Sequence, residues 1–157
     1  MSKLIQSLLL LAKIENNLFS ESREVDVSAV VKNKFPELDE WMHEKKLGLK
    51  NEMKDIRVIM NPQLADTMIS NLVINAIRHS DQEGNILVHS DNKSFMISNP
   101  GRQALDSQHI FDRFWKSADS EGTGLGLAIV KRICDQYGYS LKYEFKESTH
   151  FFTIDFI

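Results

Sequence analysis

The sequence has a single cysteine among its 157 residues, Cys134, so no disulfide can form within the chain. That cysteine lies in an apolar helical stretch, which favours a small buried side chain over a reactive thiol in a reducing compartment. A membrane span is also missing, because the longest apolar run, Leu8–Ala12, is far shorter than the ~20 residues that a bilayer requires. Met1 leads into an amphipathic pattern rather than a signal peptide, so we expect a cytoplasmic domain whose membrane anchor, if any, lies outside this chain.

An excess of basic residues is absent too, since the formal net charge is -3 and the isoelectric point is about 5.9. Sequence-independent binding to nucleic acid needs clustered Lys and Arg, so we expect no nucleic-acid partner. The composition that is present, 42% hydrophobic and 26% charged, is typical of a globular domain of ordinary size.

Residues 3–18 predict a helix with a broad apolar stripe built on Leu4, Leu8, Leu11 and Leu18. One helix cannot bury so wide a stripe on itself. We therefore expect partner helices and self-association through residues 4–18. The alternative is that the helix packs on the domain that follows it.

The remainder of the chain mixes strands with helices. Strands are predicted at 24–27, 47–53, 56–60, 85–90, 93–98, 139–145 and 150–156, and helices at 28–46, 61–79 and 124–137. Ser28 is the expected N-cap of the first of these helices, Pro36 is expected to force a kink or a restart near Phe35, and Gly138 is the expected C-cap of the last helix. A turn at 54–55 and another at 91–92 each join two strands. This order predicts an α+β fold, a mixed sheet covered by helices on one face.

The helix predicted over 61–79 carries a polar stripe beside its apolar face. Asn71, Asn75 and Arg78 are spaced i, i+4 and i+7 and so fall within roughly 40° around the helix axis, with His79 at the rim. Side-chain amides offer oxygen ligands to Mg²⁺, and the guanidinium and imidazole offer donors to phosphate. Taken alone, the stripe is most simply a solvated face, but Asn is a poor helix former and two in one row need a reason.

Three of the seven glycines stand at alternate positions in the run Gly122-Thr123-Gly124-Leu125-Gly126-Leu127. The backbone of such a run can approach a ligand closely, and free N–H groups at the start of the following helix favour phosphate. The run matches neither the P-loop nor the dinucleotide-binding fingerprint.

Between these two segments lies a long irregular stretch, 99–123, that contains the aromatic and basic patch Ile110–Lys116. Exposed aromatic side chains in a long loop need somewhere to pack, which indicates a lid with an apolar anchor. The alternative is a buried local cluster without a binding role.

In this order the three segments resemble the sensor histidine kinase branch of the GHKL ATPase superfamily. Residues 71–80 resemble its N box, 110–115 its F box and 122–130 its G2 box. The resemblance implies a Bergerat-type α/β sandwich, in which about five strands of mixed sheet are backed by about three helices after an N-terminal helix. Residues 1–20 would be the end of the second dimerisation-domain helix, and 21–157 the ATP-binding domain with a lid at about 99–123.

The resemblance also implies roles for individual residues, with ATP and Mg²⁺ as ligands. Asn75 would be the main Mg²⁺ ligand, with Asn71 and Arg78 completing the catalytic set. Arg113 or Lys116 would reach the γ-phosphate when the lid closes. The implied ATP-binding residues are Asn71, Asn75, Arg78, His79, Asn99, Gly101, Phe111, Arg113, Phe114, Lys116, Gly122, Thr123, Gly124, Leu125, Gly126 and Leu127.

The sequence departs from the family pattern at the segment that would hold adenine. The family has Asp-x-Gly-x-Gly there, whereas this chain has Asn99 in place of the Asp and Gln103 in place of the second Gly. An amide oxygen still accepts from the adenine amine, but the charge-assisted bond is lost, which costs about 1 kcal/mol. We therefore expect ATP affinity to be modest rather than abolished.

A phosphoacceptor histidine is missing, since none of the five histidines has the family's acidic–basic–proline context. We therefore expect the chain to be a piece of a longer kinase, whose partners are the dimerisation and phosphoacceptor domain and a response regulator. Two alternatives stay open: a serine kinase of the anti-sigma type, and an interaction module that no longer binds nucleotide.

Overall fold

A computed structural model describes residues 2–116 and 122–157, so residues 117–121 of the predicted lid lie outside the described part. The helices are α1 (Lys3–Glu15), α2 (Val27–Glu44), α3 (Pro62–Arg78) and α4 (Gly126–Tyr137). The strands are β1 (Arg23–Asp26), β2 (Leu47–Glu52), β3 (Arg57–Met60), β4 (Gly84–Ser90), β5 (Ser94–Pro100), β6 (Ser140–Lys146) and β7 (Thr149–Asp155). Within the described ranges, no helix is both long and apolar enough to cross a bilayer.

Five strands form one mixed sheet in the order β2-β4-β5-β7-β6. The β2–β4 pair is parallel and the other three pairs are antiparallel. Alternate side chains of the central strands are buried, Phe95 and Ile97 on β5 and Phe152 and Ile154 on β7, and the helices α2, α3 and α4 pack on the sheet. The predicted α+β fold with a five-stranded mixed sheet is confirmed, as are the two antiparallel pairs β4–β5 and β6–β7.

The strands predicted at 47–53 and 56–60 are both present, as β2 and β3, but they belong to different sheets. Strand β3 pairs antiparallel with β1 in a separate two-stranded sheet, whereas β2 pairs with β4. The turn between them therefore connects the two sheets. It is held by Ser90, whose hydroxyl accepts from Lys54 N and donates to Lys54 O, both at 2.8 Å. Both strands were predictable from local pattern, but their partners lie far away in sequence.

Helix α2 differs from expectation at its start and at its proline. Asp26, not Ser28, is the N-cap, because its carboxylate accepts from Ala29 N (3.2 Å) and from Ser28 Oγ (2.6 Å). Pro36 is exposed within a helix that continues without a restart, and Val31 and Phe35 of the same helix are buried. The proline is therefore accommodated within one continuous helix.

Helix α3 runs through the core and is fixed at both ends. Asn61 Oδ1 accepts from the backbone N–H groups of Gln63 (2.9 Å) and Leu64 (3.2 Å), with Pro62 as the first helical residue, so the predicted start is confirmed. At the other end, Lys45 Nζ donates to the carbonyls of Ile77 (2.7 Å) and Arg78 (3.0 Å) in the last turn of the helix.

Helix α1 uses its apolar stripe in two ways. Leu11 and Ile14 are almost completely buried, and the helix packs against α4. Leu4, Ile5 and Leu9 stay exposed. Packing on the following domain, stated above as the alternative, thus holds for one side of the helix, while the other side has no partner among the described residues.

Candidate functional site

A cavity of about 450 Å³ opens between α3, the turn that leads into α4, and the first turns of α1. It brings together most of the polar residues singled out in the sequence. Its described lining residues are Lys3, Gln6, Ser7, Asn71, Ile74, Asn75, Arg78, His79, Ile110, Trp115, Lys116, Gly122, Thr123, Gly124, Gly126 and Leu127.

Asn75 is the most unusual polar group in this lining. Only 8% of it is exposed, and its Nδ2 atom has no hydrogen-bond partner among the described residues. One turn earlier, Asn71 donates from Nδ2 to the Thr67 carbonyl at 2.8 Å, which leaves its oxygen free to face the glycine run. A buried amide without a partner costs stability, so its presence on a cavity wall indicates a ligand that supplies the partner.

Each glycine of the run makes room for a different neighbour. A Cβ on Gly122 would come within 2.9 Å of the Arg78 guanidinium, and one on Gly126 within 3.1 Å of Asn71 Oδ1. Gly124 has φ +75° and a Cβ there would lie 2.8 Å from the Phe114 backbone, whose N–H donates to Gly124 O. The glycines therefore let the turn approach both α3 and the aromatic loop.

Other residues of the cavity wall were not predicted from the sequence. Ile110 and Trp115 lie in the aromatic loop that was singled out, but only their neighbours were proposed as binding residues. The contribution of Lys3, Gln6 and Ser7 was missed entirely, because nothing in a helical stripe says which domain surface it will lie beside.

Several predicted binding residues lie away from the cavity. Asn99 and Gly101 are buried and are not among its described lining residues, and the Leu125 side chain is in the core. Phe111 packs edge-on against Phe152, with ring centroids 6.3 Å apart. Two exposed residues complete this group: Arg113, which forms an ion pair with Glu15 of α1, and Phe114, which adopts φ +64°.

A second polar group, the Asn99 cluster, comprises Asn99, Gly101, Tyr143 and His150. Asn99 on β5 is paired in register with His150 on β7, and a Cβ added to Gly101 would overlap the His150 ring. Tyr143 Oη accepts from Leu105 N at 2.9 Å and lies 2.7 Å from His150 Nδ1. Asn99 is 1% exposed, and its Oδ1 has no hydrogen-bond partner among the described residues.

His79 lies between the cavity and the Asn99 cluster, as the C-cap of α3. Burial lowers its pKa to about 4, and the positive charges of Arg78 and Lys45 act in the same direction. Burial likewise lowers the pKa of His150, partly offset by Asp81. Both imidazoles are therefore neutral at pH 7, so they can both accept and donate hydrogen bonds.

Residues 60–156 match the family of histidine kinase-, DNA gyrase B- and HSP90-like ATPases. The chain belongs to this family. The match includes α3, the glycine run and all four members of the Asn99 cluster, so both polar groups fall within the ATPase domain.

Among curated relatives, the sensor histidine kinase HprS of Escherichia coli is 31% identical over 98% of this chain and 36% of its own length. The heme sensor protein HssS of Staphylococcus epidermidis is 33% identical over 99% of this chain and 36% of its own length. The histidine kinase AdeS of Acinetobacter baumannii has the same fold, with a TM-score of 0.77 at 23% identity, over 96% of this chain and 74% of that structure. The chain thus spans about a third of the length of the curated relatives, but α1 lies inside the matched region.

Proposed function

We propose that this chain is the ATP-binding catalytic domain of a two-component sensor histidine kinase. In this proposal it transfers the γ-phosphoryl group of ATP to a histidine outside this chain, from which the group passes to a response regulator. The observation that carries the proposal is Asn75, a buried amide without a partner, facing a glycine-lined turn across one cavity.

The cavity suits a triphosphate in both charge and shape. Arg78, Lys116 and Lys3 bring three cationic side chains to its walls, and no Asp or Glu is among the described lining residues. Backbone N–H groups at the start of α4 face the same space, where the helix dipole favours negative charge.

The residues present also fit Mg²⁺ bound together with nucleotide. The described residues contain no group of three His, Cys, Asp or Glu side chains that could hold a metal alone. Mg²⁺ commonly takes few protein ligands and completes its octahedron with substrate phosphates and water. Asn75 would hold the ion through its side-chain oxygen, with Asn71 beside it, and the ion would neutralise charge on the phosphates.

The chain's own contribution to transfer is positioning and charge stabilisation. Arg78 is held against Gly122, and Lys116 Nζ donates to the Gly122 carbonyl at 3.1 Å, so both cations lie at the glycine run. From there they can stabilise charge that develops on the transferred group. The nucleophile is supplied by a phosphoacceptor histidine outside this chain.

The division into residues 1–20 and 21–157 is part of the same proposal. The exposed Leu4, Ile5 and Leu9 of α1 support its assignment to a dimerisation helix that pairs with helices of a second parent chain. Because ATP and response regulators are cytoplasmic, the domain belongs on that side of any membrane that the parent crosses.

Calorimetric titration with ATP in the presence of Mg²⁺ is the first test, and a saturable heat is expected. The absence of binding at millimolar ATP would contradict the proposal and favour an interaction module. If ATP binds, the chain is mixed with γ-labelled ATP and a separately expressed phosphoacceptor domain. Label that is lost in acid and kept in alkali is expected for phosphohistidine, whereas acid-stable label would indicate serine phosphorylation.

A further inference from the structure

The end of helix α3 that borders the cavity is its carboxyl-terminal end. Asn75 and Arg78 in the last turn, and His79 at the C-cap, all line the cavity. The peptide dipoles of a helix add up to a partial negative charge at this end. A triphosphate in the cavity therefore lies beside a helix end whose charge opposes it, whereas α4 presents its favourable amino-terminal end at Gly126.

The carbonyls of the last turn of α3 have both neutral and charged donors. Ser80 supplies neutral ones, with Oγ donating to the Ala76 carbonyl at 2.7 Å and N to the Ile77 carbonyl at 3.3 Å. Lys45 Nζ donates to the carbonyls of Ile77 and Arg78 and, among the donors described at this helix end, is the one side chain that brings a positive charge. A cation at this position stabilises the helix dipole more than a neutral donor does.

Lys45 is held in place by helix α2. It is the C-cap of that helix, where its backbone N–H donates to the Trp41 carbonyl at 3.1 Å, and α2 packs on α3. The side chain is half-buried, which lowers the pKa of Lys45; the carboxylate of Asp81 partly offsets this effect, and the charge of Arg78 adds to it. Lys45 is not among the described lining residues of the cavity, so it acts on the site through α3.

Arg78 is the basic residue within the last turn of α3, and two groups compete for its guanidinium. The carbonyl end of its own helix attracts a cationic side chain of the last turn. In the structure the guanidinium instead lies against the glycine run, where a Cβ on Gly122 would come within 2.9 Å of it. Because Lys45 already donates to the last carbonyls, Arg78 is left to extend towards the cavity.

We propose that Lys45 is a positioning residue for the triphosphate, which neutralises the carbonyl end of α3 and thereby leaves the Arg78 guanidinium free to bind the phosphates. The role concerns the phosphate chain and not the base. Lys45 stands 33 residues before Arg78, outside the three segments that were singled out in the sequence. The inference rests on the proposed nucleotide function.

The test measures dissociation constants for ATP, with Mg²⁺, and for AMP by competition. We expect Lys45→Met to weaken ATP by about 5-fold and to change AMP, which lacks the β- and γ-phosphates, by less than about 2-fold. Lys45→Arg keeps the charge and should recover most of the loss. Lys46→Met is the matched control, because the exposed Lys46 ammonium lies 3.4 Å from the Glu83 carboxylate and should leave both constants as in the wild type.

A double-mutant cycle separates positioning of Arg78 from a merely structural role. In an Arg78→Gln background the guanidinium that Lys45 leaves free is gone, so Lys45→Met should weaken ATP by less than about 2-fold. A loss of ATP affinity as large in that background as in the wild type would overturn the inference. Equal weakening of ATP and AMP by Lys45→Met would overturn it too, since a structural defect does not distinguish the two nucleotides.

Urea denaturation establishes that each variant is folded under the conditions of the titration. Should Lys45→Met fail to fold, Lys45→Gln, which keeps a donor without the charge, takes its place and should also weaken ATP more than AMP. If the wild type does not bind ATP, the proposed function fails and the role of Lys45 fails with it. If the wild type binds ATP and the Lys45 variants bind it equally well, only the role of Lys45 is wrong.

Discussion

At the cavity, Asn75, Arg78 and the glycine run surround open space, whereas in the Asn99 cluster Asn99 and His150 are almost completely buried. The difference follows from what holds each region. The cavity walls are a helix and a turn whose glycines bring backbone close, so the space exists before a ligand arrives. The Asn99 cluster is made of side chains that pack on one another, as Tyr143 does on His150.

The largest effect is expected at the cavity, from Asn75→Ala. Removing a residue that merely orients a metal ligand lowers metal affinity by about 10- to 100-fold, and loss of the ligand itself should cost about 100-fold in Mg²⁺-dependent ATP affinity. Isothermal titration measures this, with Asn33→Ala on the exposed face of α2 as the control. Equal affinities in the Asn75 variant and the wild type would show that the cavity does not hold the metal.

The preformed turn can be tested through two glycines with nearly equal φ angles, Gly124 (+75°) and Gly138 (+72°). A Cβ at Gly138 meets nothing within 4 Å, whereas one at Gly124 meets the Phe114 backbone at 2.8 Å. We expect Gly138→Ala to lower the free energy of unfolding by about 1 kcal/mol and Gly124→Ala by about 3 kcal/mol. Urea denaturation of the two variants compares them directly. Equal losses would mean that the turn has room to move and is not preformed.

His79, between the two regions, makes stability depend on pH. Its folded-state pKa of about 4 lies below the ordinary value of 6.5, so between these limits the unfolded chain binds a proton that the folded protein does not. Its contribution is therefore complete above pH 6.5 and is lost as the pH falls towards 4, by about 2 kcal/mol.

Urea denaturation at pH 7 and pH 4.5, with a chelator present, measures that loss. His79→Gln should reduce the difference in unfolding free energy between the two pH values, while His43→Gln, at an exposed position on α2, should leave it as in the wild type. A full wild-type pH dependence in the His79 variant would show that other groups cause it.

The smallest expected effect is in the Asn99 cluster, from Asn99→Asp. A carboxylate would restore a charge-assisted bond to the adenine amine and strengthen ATP binding by about 5-fold. Without nucleotide the same variant should be less stable than the wild type, because the new charge is buried and unpaired. Titration and thermal unfolding measure the two changes, with Asn92→Asp in the exposed β4–β5 turn as the control. A variant that gains no affinity would place the base elsewhere.

Local sequence alone determined most of the elements of this protein. The cap Asn61-Pro62, the αL glycine at 138 and the alternating strands are short-range signals, and each appears where it was predicted. The spacing of Asn71, Asn75 and Arg78 on one side of a helix is likewise fixed by helical geometry, and all three reach one cavity with the glycine run.

Only the tertiary structure decided which elements meet. Strand β2 joins β4 rather than β3, α1 places Lys3 and Ser7 on the cavity wall, and His150 comes to lie beside Asn99. The alternation of apolar residues along a strand predicts which face is buried but not which strand pairs with it. The apolar stripe of a helix likewise does not predict which surface the helix covers. Strand pairing and helix placement depend on how much surface residues distant in sequence bury together. The polar side of α3 could therefore be predicted from the sequence, whereas the strand partner of Asn99 could not.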